Sequence, residues 1–307
     1  MEAEQGVLHE YRLFGLGLRS AIALPELEPC PHQALAPVEI VLGKVQPCGH
    51  DDREALVATP DGVELTIANV ARFRISDGQK ITVEPDPAAS GRNVRLFLLG
   101  SAMGILLHQR RMLPLHANAI AFGGAAAAFM GRSGAGKSTL AAAFHDRGRL
   151  ILSDDVCAIV AEQEGFMAQA GIPRLRLWRD AVERTGRKVD DYERAFDTLD
   201  KYTVGISCNA HSAALPLKAV YLLDRDGHTP EIRALSGLAA VEALIENTYR
   251  GSYVPRFGDS PAHFTTCLAL SRAVPVFALT RPWDTAALGA TMALVEDHLD
   301  SLGDGEV

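Results

Sequence analysis

Between Gly131 and Thr139 the chain reads GRSGAGKST, a full match to the G-x-x-x-x-G-K-[ST] phosphate-binding loop. Each residue type at that spacing has a physical use. Gly131, Gly134 and Gly136 permit a tight turn, and the backbone N–H groups of the loop, those of Arg132, Ser133 and Ala135 included, can then aim inward at phosphate oxygens. A helix opening at the end of the loop, through Thr139, adds its positive dipole end and unpaired N–H groups. Lys137, expected to be exposed at the loop mouth, can reach the β- and γ-phosphates, and the Ser138 hydroxyl can complete a Mg²⁺ shell. Downstream, Asp154 and Asp155 close the short apolar run LILS. One carboxylate can hold Mg²⁺ directly or through water, and the other can accept a proton from an attacking hydroxyl. Asp pairs also serve as helix caps and turns; the nearby glycine loop is what gives this pair its chemical reading. Upstream stands His116, either a satisfied core histidine or a phosphate, metal or proton-relay group.

The elements around these residues supply the context that the motif requires. Ala125–Met130 reads as a buried strand, and Leu140–Phe144 as the first turns of a helix ending near Gly148. Gly123-Gly124 is a two-residue hairpin signal, so the strand feeding the loop should pair antiparallel with the strand that carries His116. Leu150–Ser153 reads as a second buried strand, and residues 157–171 as a hairpin turning near Glu164-Gly165. Residues 173–194 interleave arginines with acids; they read as a solvated helix with i,i+4 ion pairs, or as a phosphate or substrate clamp at Arg174 and Arg176. Residues 217–224 and 275–279 read as strands, and 237–249, 260–273 and 285–302 as helices.

Ahead of this lies a β-rich region, residues 1–92, whose apolar segments Tyr11–Leu16, Val38–Leu42, Val63–Ile67, Ala71–Ile75 and Ile81–Val83 are separated by turn chemistry, Asp77-Gly78 the clearest. It holds no cluster of catalytic residue types and reads as a packing or partner-binding domain. From 94 to 109, VRLFLLGSAMGILLHQ is apolar nearly all round, a buried helix assigned to the second domain, residues 93–307, with Pro114 ending it.

The 307 residues suffice for one large or two ordinary domains, and 48% hydrophobic with 22% charged residues is a globular composition. A net charge of −8 and a pI near 5.7 argue against nucleic-acid binding by bulk electrostatics. Apolar runs are too short to span a bilayer. The polar start MEAEQG is unlike a secretory signal, and five unpatterned cysteines (Cys30, Cys48, Cys157, Cys208, Cys267) read as reduced thiols, so a cytoplasmic protein is expected.

LHANAIAF, the Gly-Gly hairpin, GRSGAGKST, one helix ending in RG, and LILSDD together resemble the catalytic core of the HPr serine kinase/phosphorylase family, over residues 95–160. That family is similar in its core to ATP-dependent phosphoenolpyruvate carboxykinases. The resemblance implies an α/β fold with a mixed sheet around the phosphate loop, preceded here by the smaller β-rich domain. It further implies ATP and Mg²⁺ as cofactors and a serine hydroxyl as acceptor. Where the bifunctional kinases carry a Glu-Ile-Arg-Gly signature, this chain has GIPRLRLW, which points away from HPr and from phosphorylase activity. GIPRLRLW, Asp200-Lys201 and NTYR instead resemble HPr-kinase-like proteins encoded beside peptide-natural-product genes, some similar to kinases of the C-terminal serine of lasso-peptide precursors.

By motif matching, Gly131–Thr139 would hold the nucleotide phosphates, with Lys137 neutralising charge and Ser138 on the metal. Asp155 would be the first choice as base, with Asp154 assisting it or binding metal, and His116 beside the phosphates. Arg174, Arg176, Lys201 and Arg250 are weaker candidates for γ-phosphate or substrate contacts. The expected partner is a peptide or small protein, with no nucleic acid or membrane, and the oligomeric state is left open, a homo-oligomer included. Alternatives are a small-metabolite kinase of the gluconate or shikimate type, a carboxykinase for which the chain is short, and an ATP-binding sensor without transfer.

Overall fold

The structure, a computed structural model, describes residues 8–30, 37–46, 54–172, 174–196, 199–205 and 214–303. The MEAEQG start, Cys48, Pro173, Cys208 and most of the GDGEV tail lie outside the described residues. The chain divides into two compact units, Met1–Met112 with Ser252–Ser260, and Leu113–Gly251 with Pro261–Val307.

In the first unit, β1 (His9–Leu13), β2 (Leu16–Ser20), β3 (Pro37–Leu42), β4 (Glu54–Thr59), β5 (Gly62–Ile67), β6 (Ala71–Ser76) and β7 (Lys80–Pro85) form one sheet in the order β1-β2-β3-β7-β6-β5-β4. Period-two patterning sets its faces: Ala71, Phe73 and Ile75 are buried while Arg72, Arg74 and Ser76 are only partly so. Asp77-Gly78 turns the β6–β7 hairpin with φ of 53° and 64°, as its sequence predicted. The single segment expected at Tyr11–Leu16 is instead two strands, because Phe14 and Gly15 take φ of 53° and 73° and reverse the chain.

The apolar helix runs as α1 (Gly91–Phe97), a π turn over Leu98–Ala102, and α2 (Met103–Gln109). Every residue from Leu98 to His108 is buried. The sequence had assigned this helix to the second domain, beyond a boundary at 92, but it clusters with the first unit. Both ends tie it there: Arg95 donates Nε to Glu26 at 2.9 Å, and Gln109 accepts from Gly78 N–H at 2.8 Å and donates to Ile75 O at 3.0 Å. Pro114 does not end it, since it stops at Gln109 and Pro114 already lies in a strand.

The second unit contains β8 (Leu113–Leu115), β9 (Ala117–Phe122), β10 (Ala125–Met130), α3 (Lys137–Asp146), β11 (Ile151–Ser153), β12 (Cys157–Glu162), β13 (Gly165–Ala168), β14 (Arg174–Trp178), α4 (Arg179–Arg184), β15 (Glu193–Phe196), β16 (Leu199–Gly205), β17 (Leu215–Asp224), β18 (Glu231–Leu235), α5 (Leu238–Glu246), α6 (Ser260–Ala273), β19 (Val276–Thr280) and α7 (Leu288–Ser301). Its main sheet runs β11-β9-β10-β17-β19-β18. The pairs β10–β17 and β17–β19 are parallel, and the outer strands are antiparallel to their neighbours. This is a mixed sheet. A wing of β13, β12 and β8 joins it at Leu215 and Pro216.

β10 shows why the sheet is covered on both faces. Ala127 and Phe129 pack with Leu140 and Phe144 of α3 and Val295 of α7, while Ala126, Ala128 and Met130 pack with Leu244 of α5 and Leu270 of α6. A strand buried on both sides has no polar face to show, which is why its sequence is continuously apolar. Phe129 stacks on Tyr221 at 5.2 Å and is fully buried, a contribution of about 1.5–3 kcal/mol from its burial alone. Gly123 and Gly124, at φ of 55° and 88°, close the β9–β10 hairpin.

Residues 174–178 are a strand and not the start of a solvated helix. RLRLW alternates, and Leu175 and Leu177 are fully buried under a small sheet ordered β14-β16-β15. Among the described residues, no helix is long and apolar enough to cross a membrane.

Candidate active site

The loop expected from the motif lies between the end of β10 and the start of α3. Gly131, Gly134 and Gly136 take φ of 148°, 82° and 85°, conformations closed to most side chains. At Gly131 a Cβ would meet Leu223 O at 3.0 Å, and at Gly136 it would run into the Arg281 guanidinium and the Trp283 ring. The loop is therefore wedged against the β17 and β19 ends. Arg132, Ser133 and Gly134 are exposed, Ala135 is buried, and Ser138 and Thr139 are half-buried. α3 ends as predicted, with Gly148 at φ 82° and Arg149 N–H bonded back to Phe144 O at 3.0 Å.

Lys137 departs from the expected exposure. It is 7% exposed and folds back on its own loop, donating to Gly131 O at 2.6 Å and Arg132 O at 3.2 Å. Burial pushes its pKa down to about 8, against the opposing pull of Asp155. These two carbonyls satisfy two of the three donors of the ammonium.

The strand order explains how the two aspartates reach the loop. β9 lies between β10, which delivers the loop, and β11, which delivers Asp154-Asp155. Asp154 accepts from Ser138 Oγ at 3.3 Å and from Arg176 N–H at 2.6 Å. Its pKa is raised, first by burial and then by the Asp155 charge. Asp155 has φ of 71°, and Val156 N–H bonds to Asp154 O at 2.9 Å around it. A positive φ closed by that i→i+2 hydrogen bond is the rare, strained γ-turn.

Asp155 is surrounded by two cations and an imidazole. Arg176 Nη1 donates to its Oδ2 at 2.9 Å, Lys201 Nζ lies 3.9 Å from Oδ1, and His116 Nδ1 lies 3.6 Å from Oδ1. Burial favours its protonated form, but the charges of Lys201, Arg176 and Lys137 outweigh that and hold the carboxyl well below the usual range. His116 sits just before β9, its backbone N–H on Asn247 O at 2.7 Å. Burial and Lys137 lower its pKa, so it is neutral at pH 7. Its Nδ1 faces the Asp155 carbonyl at 3.0 Å; because that oxygen only accepts, Nδ1 carries the proton and Nε2 keeps a lone pair.

One pocket gathers Ser133, Gly134, Gly136, Lys137, Ser138, Thr139, His116 and Asp155, together with Lys201 from the weaker candidates. Arg176 reaches the site through both aspartates. Arg174, on the same strand, does not line the pocket, and Arg250 stands over the Tyr249 ring at 5.9 Å, one layer behind His116.

The pocket also holds residues that the sequence reading passed over: Asn118, Trp178, Asp180 and Trp283. Trp178 and Trp283 are the two tryptophans of the chain, 41% and 39% exposed. Large aromatic rings left in solvent at a pocket rim were not signalled by any periodicity. Asn118 did carry a signal, as the one polar residue in the apolar strand ANAIAF. Arg281, 3% exposed, donates Nη2 to the loop carbonyl of Ala135 at 3.1 Å and was equally unforeseen.

No protein-family model matches the chain, and no curated protein matches it. Among solved structures, it is similar to the HPr(Ser) kinase/phosphatase from Coxiella burnetii, with a TM-score of 0.33 and 14% identity, over 62% of this chain and 99% of that one. A likeness at that level carries no weight for fold or mechanism, which rest on the geometry above.

Proposed function

We propose that the chain is an ATP- and Mg²⁺-dependent kinase that transfers the γ-phosphoryl group to a serine hydroxyl of a peptide or small protein. The observation that carries this is the placement of Lys137, Ser138 and Asp155 around one pocket at the glycine loop, with Asp154 bonded to Ser138 behind them. A phosphate-binding loop alone would account for nucleotide binding; a second carboxylate beside it is what a hydroxyl acceptor needs.

The residues present fit a hard cation. Ser138 Oγ and Asp154 Oδ1 are oxygen donors 3.3 Å apart, a sparse set that matches a metal held by one carboxylate plus substrate phosphates. Among the described residues no group of three or more His, Cys, Asp or Glu could hold a metal by itself. When bound, Mg²⁺ would neutralise charge on the phosphate oxygens.

The chain's own groups then do the rest. Backbone N–H groups at the pocket, from Ser133, Gly134 and Gly136 to Thr139, cradle the phosphates, whereas that of Ala135 is held by Arg132 O at 3.0 Å, and Lys137 exchanges its two loop carbonyls for phosphate oxygens. Asp155 accepts the hydrogen bond of the acceptor hydroxyl and orients its oxygen in line with the γ-phosphorus. As the bond from γ-phosphorus to the ADP oxygen breaks, the bond to the serine oxygen forms and the proton passes to Asp155. A carboxylate held at low proton affinity is a weak base. In a loose transition state, however, its main task is orientation, and incoming phosphate charge offsets the cations and raises its proton affinity. Trp178 and Lys201, beside Asp155, form the side of the pocket on which an acceptor chain would lie. The proposed acceptor subclass is the C-terminal serine of a lasso-peptide precursor, on the GIPRLRLW and NTYR resemblance, and a cytoplasmic location fits that substrate.

Incubation with γ-labelled ATP and a panel of serine-terminated peptides and hydroxyl metabolites separates the readings. Label on peptide serine is expected. Label on a sugar or shikimate-like metabolite alone would establish a metabolite kinase, and tight ATP binding with no labelled acceptor a sensor.

A further inference from the structure

Asn118 is fully buried, and neither its Nδ2 nor its Oδ1 has a hydrogen-bond partner. A side-chain amide in that state is costly and calls for an explanation, such as a water, ion or ligand that completes it. Its position says where that partner sits. Asn118 is on β9, the strand between the loop strand and the aspartate strand, opposite Phe129 of β10 and next to Ala119, which pairs with Ser153 of β11. It shares a face of β9 with Ile120 and Phe122, which pack on the α3 side of the sheet. It also lines the pocket together with Lys137, Ser138 and Asp155.

We infer that Asn118 is a further residue of the cation–phosphate site, its carbonyl oxygen accepting from the water shell of a nucleotide-bound divalent cation and its NH₂ donating to a phosphate oxygen. This rests on the reading of the loop as a nucleotide site. An amide suits the place better than a third carboxylate would. The Asp155 charge already raises the cost of ionising Asp154, and a neutral group adds an oxygen without adding a like charge. Its two ends also match the two neighbours it would meet, because the carbonyl accepts from water while the NH₂ donates to an anion.

The inference is tested by calorimetric titration of ADP into wild type, Asn118→Leu and Asn118→Ala, each with excess Mg²⁺ and with EDTA. Leucine is close to isosteric and removes both polar atoms; alanine covers the case in which leucine fails to fold. Mg²⁺ is expected to tighten ADP binding to wild type, and both variants should lose roughly tenfold or more of that gain, as outer-shell ligand changes do. Their EDTA affinities should fall by no more than about tenfold, the scale of the one amide–phosphate hydrogen bond that is lost without the metal. The ligand-free Tm of Asn118→Leu should not fall, because an unpartnered amide has been removed. Variants that keep the full Mg²⁺ gain would overturn the inference, as would an equal loss with and without Mg²⁺ accompanied by a lower Tm. A wild type that binds no ADP under either condition would overturn the nucleotide reading itself, a failure visible before any variant is compared.

Discussion

Ser138 donates its hydroxyl to Asp154 across 3.3 Å, joining the first turn of α3 to the end of β11. The loop motif and the acidic pair lie on different strands of the sheet, and this contact brings them to one place. Arg176 fixes the other side, its backbone N–H on Asp154 and its guanidinium on Asp155. The two carboxylates are thereby given opposite electrostatics. Asp154 is buried beside a like charge, and Asp155 is surrounded by cations.

That difference predicts opposite effects of the same substitution on stability. Asp155, with its pKa lowered, contributes stability that is present above the unfolded value of about 3.9 and lost as pH falls through the folded one. Asp155→Asn should therefore lower the Tm at pH 7, leaving Arg176 and Lys201 uncompensated, and the deficit should shrink below about pH 4. Asp154, with its pKa raised, is penalised where it must ionise, so Asp154→Asn should hold or raise the ligand-free Tm at pH 7 while removing the Mg²⁺ dependence of nucleotide binding. Thermal denaturation of both variants between about pH 3 and 8 checks this. A parallel Tm loss in the two would contradict it.

Lys137 should make nucleotide binding proton-linked. Its pKa of about 8 in the free protein leaves it about half protonated at pH 8. Phosphate at the loop favours the charged form, so binding at that pH should take up about half a proton. Calorimetry in two buffers of different ionisation enthalpy measures the uptake, which should vanish in Lys137→Met. That variant should also lose roughly 1.5–3 kcal/mol of binding, the scale of a hydrogen bond to a charged group. Uptake unchanged in the variant would assign the proton elsewhere.

Two glycines of the loop should respond differently to alanine. Gly134 and Gly136 both have positive φ, which costs a side chain about 1–3 kcal/mol. At Gly134 a Cβ meets nothing within 4 Å, whereas at Gly136 it collides with Arg281 and Trp283. Gly136→Ala should thus lower the Tm more than Gly134→Ala and displace Arg281 from the Ala135 carbonyl. Equal Tm losses would mean that the Arg281–Trp283 wall yields freely.

Much of this arrangement was legible in the sequence, for reasons that are local. The loop, both glycine hairpins and the α3 stop depend on residues needing left-handed backbone, and glycine announces those positions. The Asp154-Asp155 pair was placed correctly at a strand end because an apolar run stops there. What sequence spacing could not show is which distant groups meet. Arg176 and Lys201 reach Asp155 from the small sheet, whose β14 hides its strand period among arginines that look helical. Lys137 was expected to be exposed, since no local pattern shows that an ammonium will bond back to Gly131 and Arg132. The helix expected at 94–109 falls in the first unit and not the second, because Arg95 on Glu26 and Gln109 on the Asp77-Gly78 turn join residues far apart in sequence, which spacing does not show.

The central claim is that Asp155 serves transfer while the loop serves binding. A single-turnover measurement with γ-labelled ATP and an acceptor peptide, on wild type and Asp155→Asn, tests it most directly. Wild type should label a serine hydroxyl, and Asp155→Asn should bind ATP with near-normal affinity while its transfer rate falls by roughly 10²–10⁴-fold. Transfer at the wild-type rate in Asp155→Asn would contradict the account.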